Sequence, residues 1–264
     1  FIRRKHEAGH HYFLTHAESD SLDDWVTPAV QFSPAILLDP MTGTTGFAKT
    51  RQNAAGERQF RLQLEPGQSM IVRTFRQPLE GPKWRYLEPT GDPFEISGTW
   101  SVDFLTGGPT LPEAFTTRSL DSWTRLGGPK AERFAGTVRY SISFDAPKGG
   151  KAYLLDLGRV GDSAQVTLNG QLLATQISHP FQIRVDRLRG RGNHLEIEVT
   201  NVAANRIRDL DIRKAPWKDL HGYGILNIGS RVNKAGVKTR GLDASVWPIR
   251  EAGLLGPVTL RLLD

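Results

Sequence analysis

The sequence predicts an all-β protein built of two sandwiches, on three observations. Apolar and polar residues alternate with a period of two through FAGTVRYSISF, KAYLLDLGRVGDSAQVTLNGQLL and HPFQIRVDRLRGRGNHLEIEVTN, between Phe134 and Asn201. That is the pattern of strands with one buried face. Turn residues divide these runs at short intervals: Asp145 to Gly150, Asn169-Gly170, and Arg191-Gly192-Asn193. Asn169-Gly170 suits a type I′ hairpin, whose central residues both need positive φ. The same alternation occurs nearer the N-terminus, in HHYFLTHAES, VQFSPAILLDP and ERQFRLQLEPGQSMIVRTF. Short strands spaced this closely favour a sandwich or jelly roll over a helical or α/β fold.

Taken in order, residues 1–93 read as the first sandwich. Its strands are punctuated by turns at Asp39-Pro40-Met41-Thr42-Gly43 and Glu65-Pro66-Gly67. Residues 77–93 carry Pro78, Gly81, Pro82, Pro89, Gly91 and Pro93 and read as a linker. Residues 94–264 read as the second sandwich, a jelly roll. It opens with a strand from Ile96 to Phe104, and a loop-rich crossing with Leu120-Asp121-Ser122-Trp123 follows. Trp100 and Trp123 are expected in a core or between the sandwiches. Residues 205–247 interrupt the strand rhythm and are rich in Arg, Lys, Gly, Asp and aromatic residues. A long interruption between strands points to a functional or interfacial segment. GLLGPVTLRLL closes the chain as strand.

The 264 residues include 34 Lys and Arg against 28 Asp and Glu, a net charge of +6, and no cysteine. Disulfides and thiolate metal sites are thereby excluded. The basic residues are scattered and alternate with carboxylates, so they read as solvated surface and no nucleic-acid partner is expected. No apolar run approaches the roughly 18 residues of a membrane span. The chain opens at Phe1 within strand-like sequence and reads as a piece of a longer, secreted or periplasmic protein.

His6-Glu7-Ala8-Gly9-His10 matches the zinc-peptidase pattern H-E-x-x-H. That chemistry needs a helix, which would bring both histidines to one side with the glutamate as base. Gly9 and the strand-like residues that follow favour a turn between strands, and no metal is expected there. No cofactor is expected either, while a structural calcium stays open. The acids Asp103, Glu132, Asp156, Asp162, Asp209, Asp211, Asp219, Asp243 and Glu251 offer no spacing that identifies the carboxylate pair of a glycosidase. Asn205, Arg206, Trp217, His221, Tyr223 and Trp247 combine aromatic faces with polar donors, as carbohydrate sites do, and are the candidate sugar-binding residues. The competing reading is that the tryptophans pack the long segment onto the sandwich.

Gly158, Val160, Ala164, Val166, Asn169 and Gly170, then Pro180, Phe181, Leu188, Gly192, Asn193, Leu195, Ile197, Val199 and Asn201, follow the motif order of a known jelly roll. The stretch resembles the sugar-binding (galactose-binding-like) domain of the β-galactosidase and β-glucuronidase family. A wider set of residues covers nearly the whole chain: His11-Tyr12-Phe13-Leu14; Leu38-Asp39-Pro40 with Thr42-Gly43; Leu64, Pro66-Gly67 and Ser69; Ile96-Ser97-Gly98 with Trp100, Val102 and Phe104; Phe134, Gly136-Thr137 and Tyr140; Asn201 and Asn205-Arg206; and Gly253 to Val258. In these residues the chain resembles the C-terminal part of the bacterial α-L-rhamnosidases of glycoside hydrolase family 106. The resemblance implies a parent that hydrolyses terminal α-L-rhamnose, with its catalytic carboxylates in a barrel outside this sequence. It implies an accessory role here, non-catalytic alone, with that barrel and a rhamnose-containing glycan as partners. The alternatives are an independent carbohydrate-binding protein and, behind it, a zinc hydrolase.

Overall fold

The computed structural model describes residues 1–215 and 243–263. Two antiparallel sheets form the N-terminal sandwich. One holds β1 (Ile2–His6), β2 (Gly9–Thr15), β8 (Ser69–Phe75), β4 (Ala35–Leu38) and β5 (Thr45–Phe47), in that spatial order. The other holds β3 (Leu22–Val26), β7 (Arg58–Leu64) and β6 (Thr50–Gln52). Alternation sets the facing: Phe60, Leu62 and Leu64 of β7 and Met70 and Val72 of β8 turn inward to meet Tyr12 and Leu37. The Glu65-Pro66-Gly67 turn therefore carries the chain from one sheet to the other.

Residues 77–88 are pinned to this sandwich. Gln63 exchanges hydrogen bonds with the Leu87 backbone (3.0 and 3.1 Å), and Arg61 pairs with Glu88 at 2.8 Å and stacks on the Tyr86 ring. The segment expected as a linker also ends early. Pro89–Glu95 is strand β9, which pairs with the last strand of the chain. Proline at the first position of an edge strand gives up no ladder hydrogen bond, which is why a proline-rich stretch can still be strand.

The second sandwich sets a six-stranded sheet against a four-stranded one. The first holds β11 (Phe115–Thr117), β10 (Trp100–Gly108), β12 (Ala135–Phe144), β18 (Asn193–Thr200), β15 (Ser163–Leu168) and β16 (Gln171–Gln176). The second holds β17 (Gln182–Val185), β13 (Ala152–Asp156), β20 (Thr259–Leu263) and β9. A separate ribbon pairs β14 (Arg159–Gly161) with β19 (Gly253–Gly256). Asn169 and Gly170 have φ of 53° and 80° and join β15 to β16, as the hairpin signal required.

The larger core lies between these sheets and includes Trp100, Trp123, Phe134, Tyr140, Leu155, Leu195 and Ile197. Phe134 meets Phe104 edge-on at 5.1 Å and Trp123 at 6.0 Å, the geometry that aromatic quadrupoles favour. Strand β13 is buried on both faces. Tyr153 and Leu155 enter this core, while Ala152 and Leu154 pack with Leu263 and Leu87 on the side of the first sandwich.

Three helices were not expected from the strand rhythm: α1 (Trp123–Leu126), α2 (Gly128–Glu132) and α3 (Ala204–Ile212). Ser122 caps α1, its side chain accepting from Thr124 N. None of the helices among the described residues is long and apolar enough to cross a membrane.

Candidate functional site

The candidate sugar-binding residues divide three ways. Trp217, His221 and Tyr223 lie outside the described residues. Asn205 sits in the first turn of α3, is 4% exposed, and spends both ends of its amide on one backbone. Its Nδ2 donates to Arg250 O and its Oδ1 accepts from Arg250 N, both at 2.8 Å. Arg206 donates to Asp209 at 2.7 Å, and Asp209 also pairs with Arg213 and stands 4.0 Å from Arg133. Trp247 ends a short 3-10 turn (Ala244–Val246), and its carbonyl accepts from Arg208 Nε at 2.8 Å. Asn205, Arg206 and Trp247 thus share one corner. Asn205 and Arg206 are engaged within the protein there, and Trp247 is half-exposed.

His6 and Gly9 face each other as the closing pair of the β1–β2 hairpin, so the H-E-x-x-H residues lie in a turn and two strands rather than on a helix. His6 Nδ1 accepts from Ala8 N at 3.2 Å. Burial and the positive charges of Arg3 and Lys5 push the His10 imidazole below its ordinary pKa. Among the described residues no three His, Asp or Glu side chains group as a metal site.

What Asn205 builds is the wall of a charged cleft. Ser122 holds the next stretch of the same segment. Its Oγ accepts from Ala252 N at 2.9 Å and donates to Ala252 O at 3.1 Å. Locked on both sides, Arg250 and Glu251 line a cleft of about 380 Å³ with Arg159, Val160, Gly161, Asp162, His179 and Leu255. Arg250 reaches Asp162 at 2.7 Å, and the other oxygen of Asp162 accepts from Val202 N at 2.8 Å. Glu251 takes one guanidinium on each oxygen, Arg125 at 2.8 Å and Arg159. Arg125 also pairs with Asp121. Asp162 has φ of 93°, an uncommon conformation for a residue with a Cβ, and its two side-chain bonds hold it there. In the sequence Asp162 is one of nine acids whose spacing identifies none of them. The available signal was its place between Gly161 and Ser163, since aspartate accepts positive φ more readily than most residues.

Among the described residues, both carboxylates that line this cleft, Asp162 and Glu251, are paired, and Asp121 beside it is paired with Arg125. The Arg125 guanidinium holds the Asp121 carboxyl down at about 2, and Arg125 and Arg159 hold Glu251 below its ordinary value. Such groups stay ionised as hydrogen-bond acceptors and do not serve as proton donors near neutrality. The Asp121 pKa is depressed on folding, so its stabilising share is complete above the ordinary 3.8 and is lost as pH falls through about 2. Carboxyl carbon NMR on the wild type should show an Asp121 midpoint near that lower value. In Arg125→Gln the midpoint should return towards 3.8, and an unmoved midpoint would disprove the pairing.

No protein-family model matches the chain. A curated protein of Formosa agariphila named "Putative beta-glucuronidase" is 32% identical over 186 residues, covering 65% of this chain and 16% of its own length. A solved rhamnosidase from Novosphingobium sp. PP1Y superposes over 98% of this chain and 23% of its own, with a TM-score of 0.69 and 23% identity. A Bifidobacterium dentium beta-glucuronidase matches over 44% of this chain and 22% of its own, with a TM-score of 0.36 and 23% identity. The chain therefore spans less than a quarter of each of these proteins. Its fold, over nearly its full length, is that of a segment of the rhamnosidase.

Proposed function

We propose that this chain is an accessory, non-catalytic β-sandwich region of a glycoside hydrolase. In this reading the two sandwiches divide near Pro89, where the chain leaves the first core and enters the sheets of the second. The parent is proposed as a secreted or periplasmic enzyme of the α-L-rhamnosidase type, of family 106, with its catalytic barrel elsewhere in its sequence and a rhamnose-containing glycan as substrate.

The observation that carries the reading is the charged cleft, in which every carboxylate among the described residues is engaged by an arginine. Asp121 and Glu251 are stabilised as anions, and Asp162 accepts from Arg250 and a backbone amide. Hydrolysis of a glycosidic bond needs one carboxyl held protonated beside a second that is ionised. The kinship with the Formosa protein and the fold shared with the rhamnosidase support a glycosidase origin.

Purified chain of verified intact mass should release no nitrophenol from p-nitrophenyl α-L-rhamnoside or β-D-glucuronide over a day, at any pH from mildly acidic to neutral. Turnover that co-purifies with this chain and disappears in Asp162→Asn or Glu251→Gln would overturn the reading.

A further inference from the structure

A second, larger cleft lies where the edge strands β16 and β17 diverge, away from the Asn205 corner. Its volume is about 680 Å³, within the ~300–1,000 Å³ of small-molecule sites. The floor is apolar. Leu168 and Val185 are buried, and Leu173 and Leu188 pack partly buried against the core. The polar lining is Asn169, Gln171, Arg184, Asp186, Arg187 and Arg189. Arg184 is satisfied by Asp186 at 2.7 Å. The guanidiniums of Arg187 and Arg189 and the amide of Gln171 make no hydrogen bond or ion pair with any described residue, and all three side chains are exposed. They leave three arginines facing one carboxylate.

The cleft is built rather than incidental. Asn193, fully buried, ties its two walls together. Its Oδ1 accepts from Arg189 N (2.9 Å) and from Asn169 Nδ2 (3.1 Å), and its Nδ2 donates to Arg189 O (2.7 Å). Asn169 Oδ1 in turn accepts from His194 N at 2.9 Å. The far end of the loop is held by Gly192 N donating to Asp145 at 2.8 Å. The arginine-bearing backbone is thus ordered before any ligand arrives, which lowers the entropic cost of binding.

We propose that this cleft binds an anionic oligosaccharide. The apolar floor would take the C–H face of a pyranose ring. The unpaired Arg187 and Arg189 would take its carboxylate or sulfate, in the paired N–H geometry that guanidinium offers planar and tetrahedral oxyanions. The inference rests on the accessory-region reading and gives that region a ligand class.

Isothermal titration of the purified chain decides it, with tetragalacturonate, a sulfated tetrasaccharide and neutral xylotetraose as probes. Saturable binding of at least one anionic probe is expected, with xylotetraose at least about tenfold weaker. Arg187→Gln/Arg189→Gln should weaken the anionic probe by at least about tenfold, while Arg4→Gln/Lys5→Gln, on the exposed β1 strand, should stay within about twofold. Whichever anion binds identifies the group read. The proposal falls if neither anion binds, if xylotetraose binds as well, or if both double variants lose binding alike, since that is bulk charge. It also falls if a polyglutamate peptide binds as tightly with the same arginine dependence, which would make the cleft a protein interface. These outcomes leave the accessory reading standing, because that reading is decided by the aryl-glycoside assay.

Discussion

Gly253→Ala should be among the most damaging single-methyl additions to this protein. Gly253 has φ of 107°, and a Cβ built on it would lie 2.3 Å from Tyr140 Oη and 2.9 Å from a Trp123 ring carbon. Trp123 is 0% and Tyr140 1% exposed, so neither ring has space to retreat into at interior packing density. The backbone contributes about 1–2 kcal/mol of strain and the overpacking about 1–3 kcal/mol. A loss of ~2–5 kcal/mol is a large share of the ~5–15 kcal/mol that holds an ordinary domain folded. Urea denaturation followed by tryptophan fluorescence measures it. Gly170→Ala supplies the control, because φ there is 80° and nothing lies within 4 Å of the added carbon; it should lose only about 1 kcal/mol. Adding Tyr140→Phe to Gly253→Ala removes the nearest clashing atom and should recover about 1 kcal/mol or more. Equal losses at the two glycines would show that strain, not packing, governs position 253.

That pair of glycines shows what was legible in the sequence and what was not. Gly170 announces itself through Asn169 and the alternating strands on either side, because a hairpin turn is a local structure set by neighbouring residues. Gly253 gives no such sign. Its need for a bare Cα comes from Trp123 and Tyr140, which stand 130 and 113 positions away in the chain. The strands were readable for the same local reason, down to the turns at Asp39 and Glu65, and so was the burial of Trp100 and Trp123. The strand at Pro89 was not, since its pairing partner is the last strand of the chain.

The candidate site divides along the same line. Asn205, at the start of the long interruption, reads as a sugar ligand. The structure uses its amide as a surrogate peptide group. Asn201 does the same, accepting from Gly136 N at 2.9 Å and donating to Phe134 O at 3.2 Å. A side chain that matches a peptide group on one side and a sugar hydroxyl on the other gives no sequence signal for choosing between them. The charged cleft was invisible because Asp121, Arg159, Asp162 and Glu251 meet only after folding.

Asn205→Ala should therefore act on one segment before it acts on the whole. The substitution strands the N–H and C=O of Arg250 in a part-buried site, at a cost of about 1–2 kcal/mol. It frees the base of the Arg250–Asp162 pair, while Ser122 still holds Ala252. Hydrogen exchange read at single amides should show Arg250 losing its protection and Ala252 keeping its own. Loss at both would mean that residues 250–252 open as one unit, and loss at neither that water replaces the amide. Asn205→Asp sharpens the test through its pH dependence. A protonated carboxyl can both donate to Arg250 O and accept from Arg250 N, whereas a carboxylate would face that carbonyl with no proton to offer. Burial and the carbonyl raise the folded pKa of the new acid above the ordinary ~3.9, against the opposing pull of the Arg250 N–H and the first turn of α3. Its stability relative to wild type is then highest below that ordinary value and declines as pH rises through the raised one. A denaturation series across this range in both proteins should show the gap widening with pH. A constant gap would mean that the Arg250 N–H and the α3 N-terminus offset the carbonyl, so that the proton on residue 205 contributes nothing to holding the wall of the cleft.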